Sequence, residues 1–158
     1  MTCQYSGVSM SLNVNHLLRT VDTLEQTLMT LEQCRGSDSL PLDLYQDMAI
    51  ERFELSLETT GKLLRKALKA FTARPREVDE LVFFDVLRHA GKHGLLDSDG
   101  VERWIGYRNI CSDRTNSDDS EFDEYKRSAH EVLALLPQYV LDARALAPRI
   151  QAVFDAAA

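Results

Sequence analysis

Ile50-Glu-Arg-Phe-Glu-Leu-Ser-Leu-Glu-Thr-Thr-Gly-Lys-Leu-Leu64 is the stretch whose reading decides the fold. Ile50, Phe53, Leu57 and Leu64, continued by Leu68 and Phe71, recur at helical spacing and line one face. Glu54, Glu58, Lys62 and Arg65 fall near the other face, and Glu58 stands four residues before Lys62, the order that favours pairing on a helix. Thr72-Ala-Arg-Pro75 should end this helix, because the residue before a proline is pushed out of helical geometry.

The same reading extends in both directions. Upstream, Leu17, Val21, Leu24, Leu28 and Leu31 alternate at four and three residues, the stripe of a packed helix. Gly36-Ser37-Asp38-Ser39 closes it, and Pro41 suits an early position of the next helix, where its missing N–H is no loss. Downstream, a third helix is expected over Val78 to Lys92, with Leu81, Phe84, Val86 and Leu87 as apolar positions and Gly94 as its C-terminal cap. Asp97-Ser98-Asp99 offers N-caps for the helix holding Trp104, with Asp99 and Glu102 spaced as a capping box. Asp113–Glu124 reads as a polar loop or helix start. A last helix uses Phe122, Tyr125, Ala129, Val132, Leu136, Tyr139, Val140, Ala143, Leu146, Ile150 and Val153, and Pro137 and Pro148 should kink or interrupt it.

No strand pattern, internal repeat or low-complexity linker appears. About five helices on short loops imply an all-α antiparallel bundle with a four-helix up-and-down core. Residues 1–11 lack periodicity and read as a flexible lead-in to a single domain over residues 12–156.

Composition bounds function only loosely. With 44% hydrophobic and 27% charged residues the chain is globular, and its apolar runs are far too short to span a membrane. A net charge of −7 argues against indiscriminate binding to nucleic acid. Three widely spaced cysteines, Cys3, Cys34 and Cys111, suggest neither a disulfide framework nor a zinc site. With no signal segment at the start, the expected compartment is the cytoplasm. His89 and His93 stand at i, i+4 but lack a third ligand nearby, so no metal and no cofactor is expected. His16 and His130 are isolated and read as surface positions.

Taken in order, several patterns resemble the HEPN superfamily, in particular the small helical proteins called nucleotidyltransferase substrate-binding proteins. Arg52, Phe53, Glu54, Glu58, Lys62, Leu63 and Leu64 match that family's second-helix pattern, with Gly61 where the family usually has Trp. Arg74-Pro-Arg-Glu-Val78, Phe84-Asp-Val-Leu-Arg-His-Ala-Gly-Lys-His-Gly-Leu-Leu96, Glu102-Arg-Trp-Ile-Gly-Tyr-Arg108 and Leu135-Leu-Pro-Gln-Tyr-Val-Leu-Asp-Ala-Arg144 continue the match. The resemblance spans about residues 12 to 150. It implies a dimerising bundle, encoded beside a minimal nucleotidyltransferase in toxin–antitoxin modules, whose active members are ribonucleases acting on RNA. It also implies an Arg, a polar residue, a His four to six positions on, and a Tyr two further, which the nucleotidyltransferase adenylylates.

Against that motif the chain departs where chemistry matters most. An ungapped count from Trp104 sets Cys111 at the Arg, Ser112 at the polar residue, Asn116 at the His and Asp118 at the Tyr. Removing three positions keeps Arg108-Asn109 as the leading pair and sets Asp113 at the His and Thr115 at the Tyr. Neither placement supplies a His or a Tyr. Metal-independent RNA cleavage needs a base for the 2′-hydroxyl and a cation for charge growing on the phosphate. An ordinary carboxylate with a pKa of about 4 is a poor base at neutral pH, and losing a general base costs about 10²–10⁴ in rate.

The candidate catalytic residues are therefore Arg108, Asn109, Asp113 and Asn116, in a site expected to be weakened or lost. Glu54, Glu58, Lys62, Trp104 and Tyr107 are candidates for a substrate or partner cleft. The alternative is an active ribonuclease toxin using Arg108 with Asp113, or a residue from a dimer mate.

Overall fold

The computed structural model describes residues 12–34, 40–116 and 122–157, with the backbone path alone at 40–41, 112–116 and 122–128. The described residues form six α-helices: α1 (Asn15–Gln33), α2 (Leu40–Leu68), α3 (Pro75–Glu80), α4 (Phe83–Lys92), α5 (Ser98–Asn116) and α6 (Phe122–Ala157). A 3₁₀ turn, Lys69–Phe71, follows α2. The fold is an all-α bundle, as the periodicity predicts.

Four long helices make the core, and their side-chain partners fix their directions. Thr20 on α1 meets Ser56 on α2, each a similar distance from the short connection between the two helices, so α1 and α2 run antiparallel. Arg144 on α6 pairs with Asp22 and Glu25, while earlier α6 residues flank later α1 residues, so this pair is antiparallel too. Arg149 of α6 donates to the Gly94 carbonyl just before α5, and Asp142, earlier on α6, pairs with Arg103 within α5, which gives the same result. The small helix α4 packs between α2 and α5, and α3 lies against α2 and the 3₁₀ turn.

Burial follows the stripes read from sequence. Leu17, Val21 and Leu24 of α1, Ile50, Phe53, Leu57, Leu64 and Leu68 of α2, and Ala129 to Ile150 of the α6 series are all buried. At the centre, Phe53, Trp104, Tyr107 and Tyr139 meet edge-to-face, with ring centroids 4.8–6.4 Å apart. Such pairs add to the area that aromatic residues bury. Both hydroxyls they carry inward are matched: that of Tyr139 donates to Ser56 Oγ at 2.7 Å and that of Tyr107 to Asp142.

Six described helices accord with the about five that the sequence implies, and several finer expectations are revised. The expected helix over Val78 to Lys92 is two helices, because Leu81 and Val82 are extended (ψ 137° and 159°). Arg65, expected on a solvated face, makes that break tolerable: its Nη1 donates to the carbonyl of Leu81 (2.7 Å) and to that of Val78 (3.0 Å), which the Leu81 N–H also reaches. The N-cap of α5 is Asp97, whose Oδ1 accepts from the Gly100 N–H at 2.5 Å, rather than an Asp99–Glu102 box.

Pro137 and Pro148 do not interrupt α6, which runs unbroken past both. Each is exposed, so the carbonyl four residues earlier that loses its donor can turn to water. Of the segment from Asp113, read as a polar loop or helix start, residues 113–116 continue α5 as helix. Gly94 caps α4 as expected: at φ 80° it lets Leu95 N–H reach the Ala90 carbonyl and Gly94 N–H the Gly91 carbonyl. The lead-in 1–11 and Gly36-Ser37-Asp38-Ser39 lie outside the described residues.

Candidate functional site

Trp104, Tyr107 and Cys111 stand three and four residues apart on α5 and all face inward. Arg108 lies one helical turn past Trp104, at the margin of that stripe, half-buried. On α2, Glu54, Leu57, Glu58 and Gly61 share a face by the same spacing. Where these two faces meet α4, a cleft of about 300 Å³ opens, lined by Glu54, Leu57, Glu58, Phe83, Arg108 and Cys111.

The cleft joins an apolar floor to three charged groups. The guanidinium of Arg108 sits over the ring of Phe83, its Cζ 5.7 Å from the centroid, within cation–π reach. Phe83 in turn lies against α2 at Gly61: a Cβ there would stand 2.7 Å from Phe83 Cε2. Glu58 pairs with Lys62 at 3.2 Å, with both side chains mostly exposed, so the pair contributes little stability. A guanidinium suits the oxygens of a phosphate, but the two carboxylates beside it repel the same anion. The arrangement can hold a group by its polar edge and an apolar face; it is not a simple anion hole.

The candidate residues therefore separate. Arg108, Glu54 and Glu58 come together, and Lys62 stands at the rim through Glu58. Trp104 and Tyr107 do not line the cleft. Trp104 is 1% exposed, and the Tyr107 hydroxyl donates to Asp142 Oδ2 at 2.5 Å. Burial first, then that hydrogen bond and the charge of Asp142, raise the Tyr107 pKa well above 10. A hydroxyl so placed is a poor acceptor for adenylylation. Asn109 is exposed on α5. Asp113 and Asn116 lie on the helical extension of α5, and their side chains are outside the described residues.

Three residues of consequence escape the sequence reading. Phe83 is off-face if a helix runs unbroken from Val78, and joins the cleft because α4 restarts at that position. Its signal is the Phe83-Phe84 pair after an extended dipeptide. Gly61 enters the sequence reading only as a helical glycine where the family usually has Trp, and nothing there points to the close approach of Phe83. Asp142 is buried and accepts from Arg103 Nε (2.9 Å), Tyr107 Oη and Gln138 Nε2 (3.0 Å), tying α5 to α6 beneath the site.

His93 stacks on Phe71 with centroids 4.8 Å apart, and burial, then Lys92 and His89, lower its pKa. Among the described residues, no group of three or more His, Cys, Asp and Glu could hold a metal ion. Cys34 is half-buried and Cys111 buried, and no described helix is long and apolar enough to cross a membrane.

Comparison with known proteins places this geometry. The chain is 27% identical over 114 residues to a protein of Haemophilus influenzae named probable ribonuclease HepT, covering 70% of this chain and 76% of that one. A solved Haemophilus influenzae structure, described as revealing the fold of a substrate-binding domain of a nucleotidyltransferase, superposes with a TM-score of 0.72. The chain is thus similar to the HEPN superfamily. The superposition covers 88% of this chain and 99% of the solved one at 21% identity, so it speaks for the fold alone. No family model matches the chain.

Proposed function

We propose that this HEPN-like protein is the partner of a minimal nucleotidyltransferase in a cytoplasmic toxin–antitoxin module. It works as a homodimer, with its own ribonuclease chemistry weakened or lost. The observation that carries this reading is the makeup of the site helix. From Arg108 to Glu121 the chain has no His and no Tyr, in the segment where the family resemblance expects both. Without the imidazole, Arg108 retains the means to grip an anion but lacks a partner that exchanges protons at neutral pH. The description of the structural neighbour supports a nucleotidyltransferase as the partner.

Co-expression with the nucleotidyltransferase encoded beside this gene tests the proposal. Joint elution from a size-exclusion column, at a mass that requires two copies of this chain, is the expected result. Separate elution overturns it. Intact mass after incubation with ATP and the partner should show no added AMP.

The second reading is an active metal-independent ribonuclease using Arg108 with Asp113. It is favoured by the relative named a probable ribonuclease and by the placement of Arg108 in the cleft. Toxicity on expression, relieved by the nucleotidyltransferase, is its expected signature.

A further inference from the structure

We propose that Phe83 is a positioning residue for Arg108, and that the glycine at position 61 is what lets it act as one. The inference rests on the reading that Arg108 is the cation of this site.

Arg108 projects from α5, yet what its guanidinium rests on belongs to α4 and is fixed by α2. The ring of Phe83 sits 5.7 Å from Arg108 Cζ, face toward the cation. Its Cε2 and Cδ2 stand 2.7 and 3.2 Å from where a Cβ on residue 61 would be, so the ring occupies space that any side chain there would need. The backbone leading into Phe83 is held from α2 as well, through Arg65 and the Leu81 carbonyl at 2.7 Å. Two ties from one helix thus locate the ring, and the ring locates the guanidinium.

An arginine on an exposed helix face samples many rotamers. One laid on an aromatic face keeps its charge while losing that freedom, so it meets a ligand at lower entropic cost. The carboxylates of Glu54 and Glu58 line the same cleft. By drawing the guanidinium toward its face, Phe83 determines which part of the cleft carries positive potential.

The experiment compares Phe83→Leu, Phe83→Trp, Gly61→Ala and Arg108→Ala in the full chain. The first readout is the ¹³C–¹H spectrum of the Arg108 side chain, assigned by its loss in Arg108→Ala. Ring-current shifts on its δ-methylene should disappear in Phe83→Leu, persist in Phe83→Trp and change in Gly61→Ala. Helix propensity favours alanine over glycine, so displacement of Arg108 in Gly61→Ala is not explained by unfolding, and far-ultraviolet circular dichroism should remain native. Unchanged Arg108 resonances in Phe83→Leu or Gly61→Ala overturn the proposal.

The second readout is affinity for the neighbouring nucleotidyltransferase. Loss of a cation–π contact of about 0.5–1 kcal/mol corresponds to roughly a two- to fivefold weaker Kd in Phe83→Leu, and Phe83→Trp should restore it. If the resonances move but Arg108→Ala leaves affinity unchanged, the positioning role stands and the reading of Arg108 as the site's cation falls.

Discussion

Asp142 offers the most demanding test of how the site helix is held. Its side chain is 8% exposed and takes three donors: Arg103, Tyr107 and Gln138. Asp142→Ala leaves the Tyr107 hydroxyl, on a residue 5% exposed, without its acceptor. A buried donor stranded in this way costs about 1–3 kcal/mol. Arg103 is 44% exposed and can rehydrate, so its share is about 0–1 kcal/mol.

The expected total for Asp142→Ala is then about 1–4 kcal/mol. At roughly 2–4 °C per kcal/mol for a domain of this size, the melting temperature should fall by about 2–16 °C. Tyr107→Phe removes the donor and leaves Asp142 with two partners, so it should cost less. The double variant should cost less than the two single costs added, because no hydroxyl is stranded in it. Calorimetry on the four proteins measures all of this. A loss below about 0.5 kcal/mol in Asp142→Ala, the ordinary range for a surface change, would refute the buried clamp. Strict additivity in the double variant would refute the coupling.

Other expectations follow from single residues. Gly94→Ala forces a side chain into φ 80° and should cost about 1 kcal/mol in urea unfolding; an unchanged midpoint would contradict the cap at the end of α4. The lowered pKa of His93 means that the folded chain binds this proton less readily than the unfolded chain does. Stability should therefore fall as pH drops through about 6.5, the unfolded value, and the fall between pH 7.5 and 5.5 should be smaller in His93→Gln. Glu58→Gln breaks an exposed pair and should shift stability by less than about 0.5 kcal/mol; a larger loss would show that Glu58 bears on the fold as well as on the cleft.

Most of the bundle was legible because helical periodicity survives wherever one face is buried. Phe53 and Leu57 could be placed inward from spacing, whereas Trp104 and Tyr107 were both taken for the cleft and are buried in the core. What spacing hid was long-range compensation. The break at Leu81-Val82 depends on Arg65, thirteen and sixteen residues earlier in sequence than the carbonyls it serves. The uninterrupted α6 depends on which way its prolines face. Asp142 reads as one more polar position on a helix until Tyr107 and Arg103 are seen to converge on it from another. At the cleft, Glu54, Glu58 and Arg108 were found by residue type and family pattern, but Phe83 was missed. A helix read without its break turns that ring the wrong way.

The central proposal is that a HEPN-like scaffold persists here without the chemistry of that family's ribonuclease motif. Its most direct test incubates the purified chain, free of any partner, with single-stranded RNA beside the Arg108→Ala variant. The account predicts equal and negligible cleavage by both proteins. Cleavage by the native chain that vanishes in Arg108→Ala would contradict it.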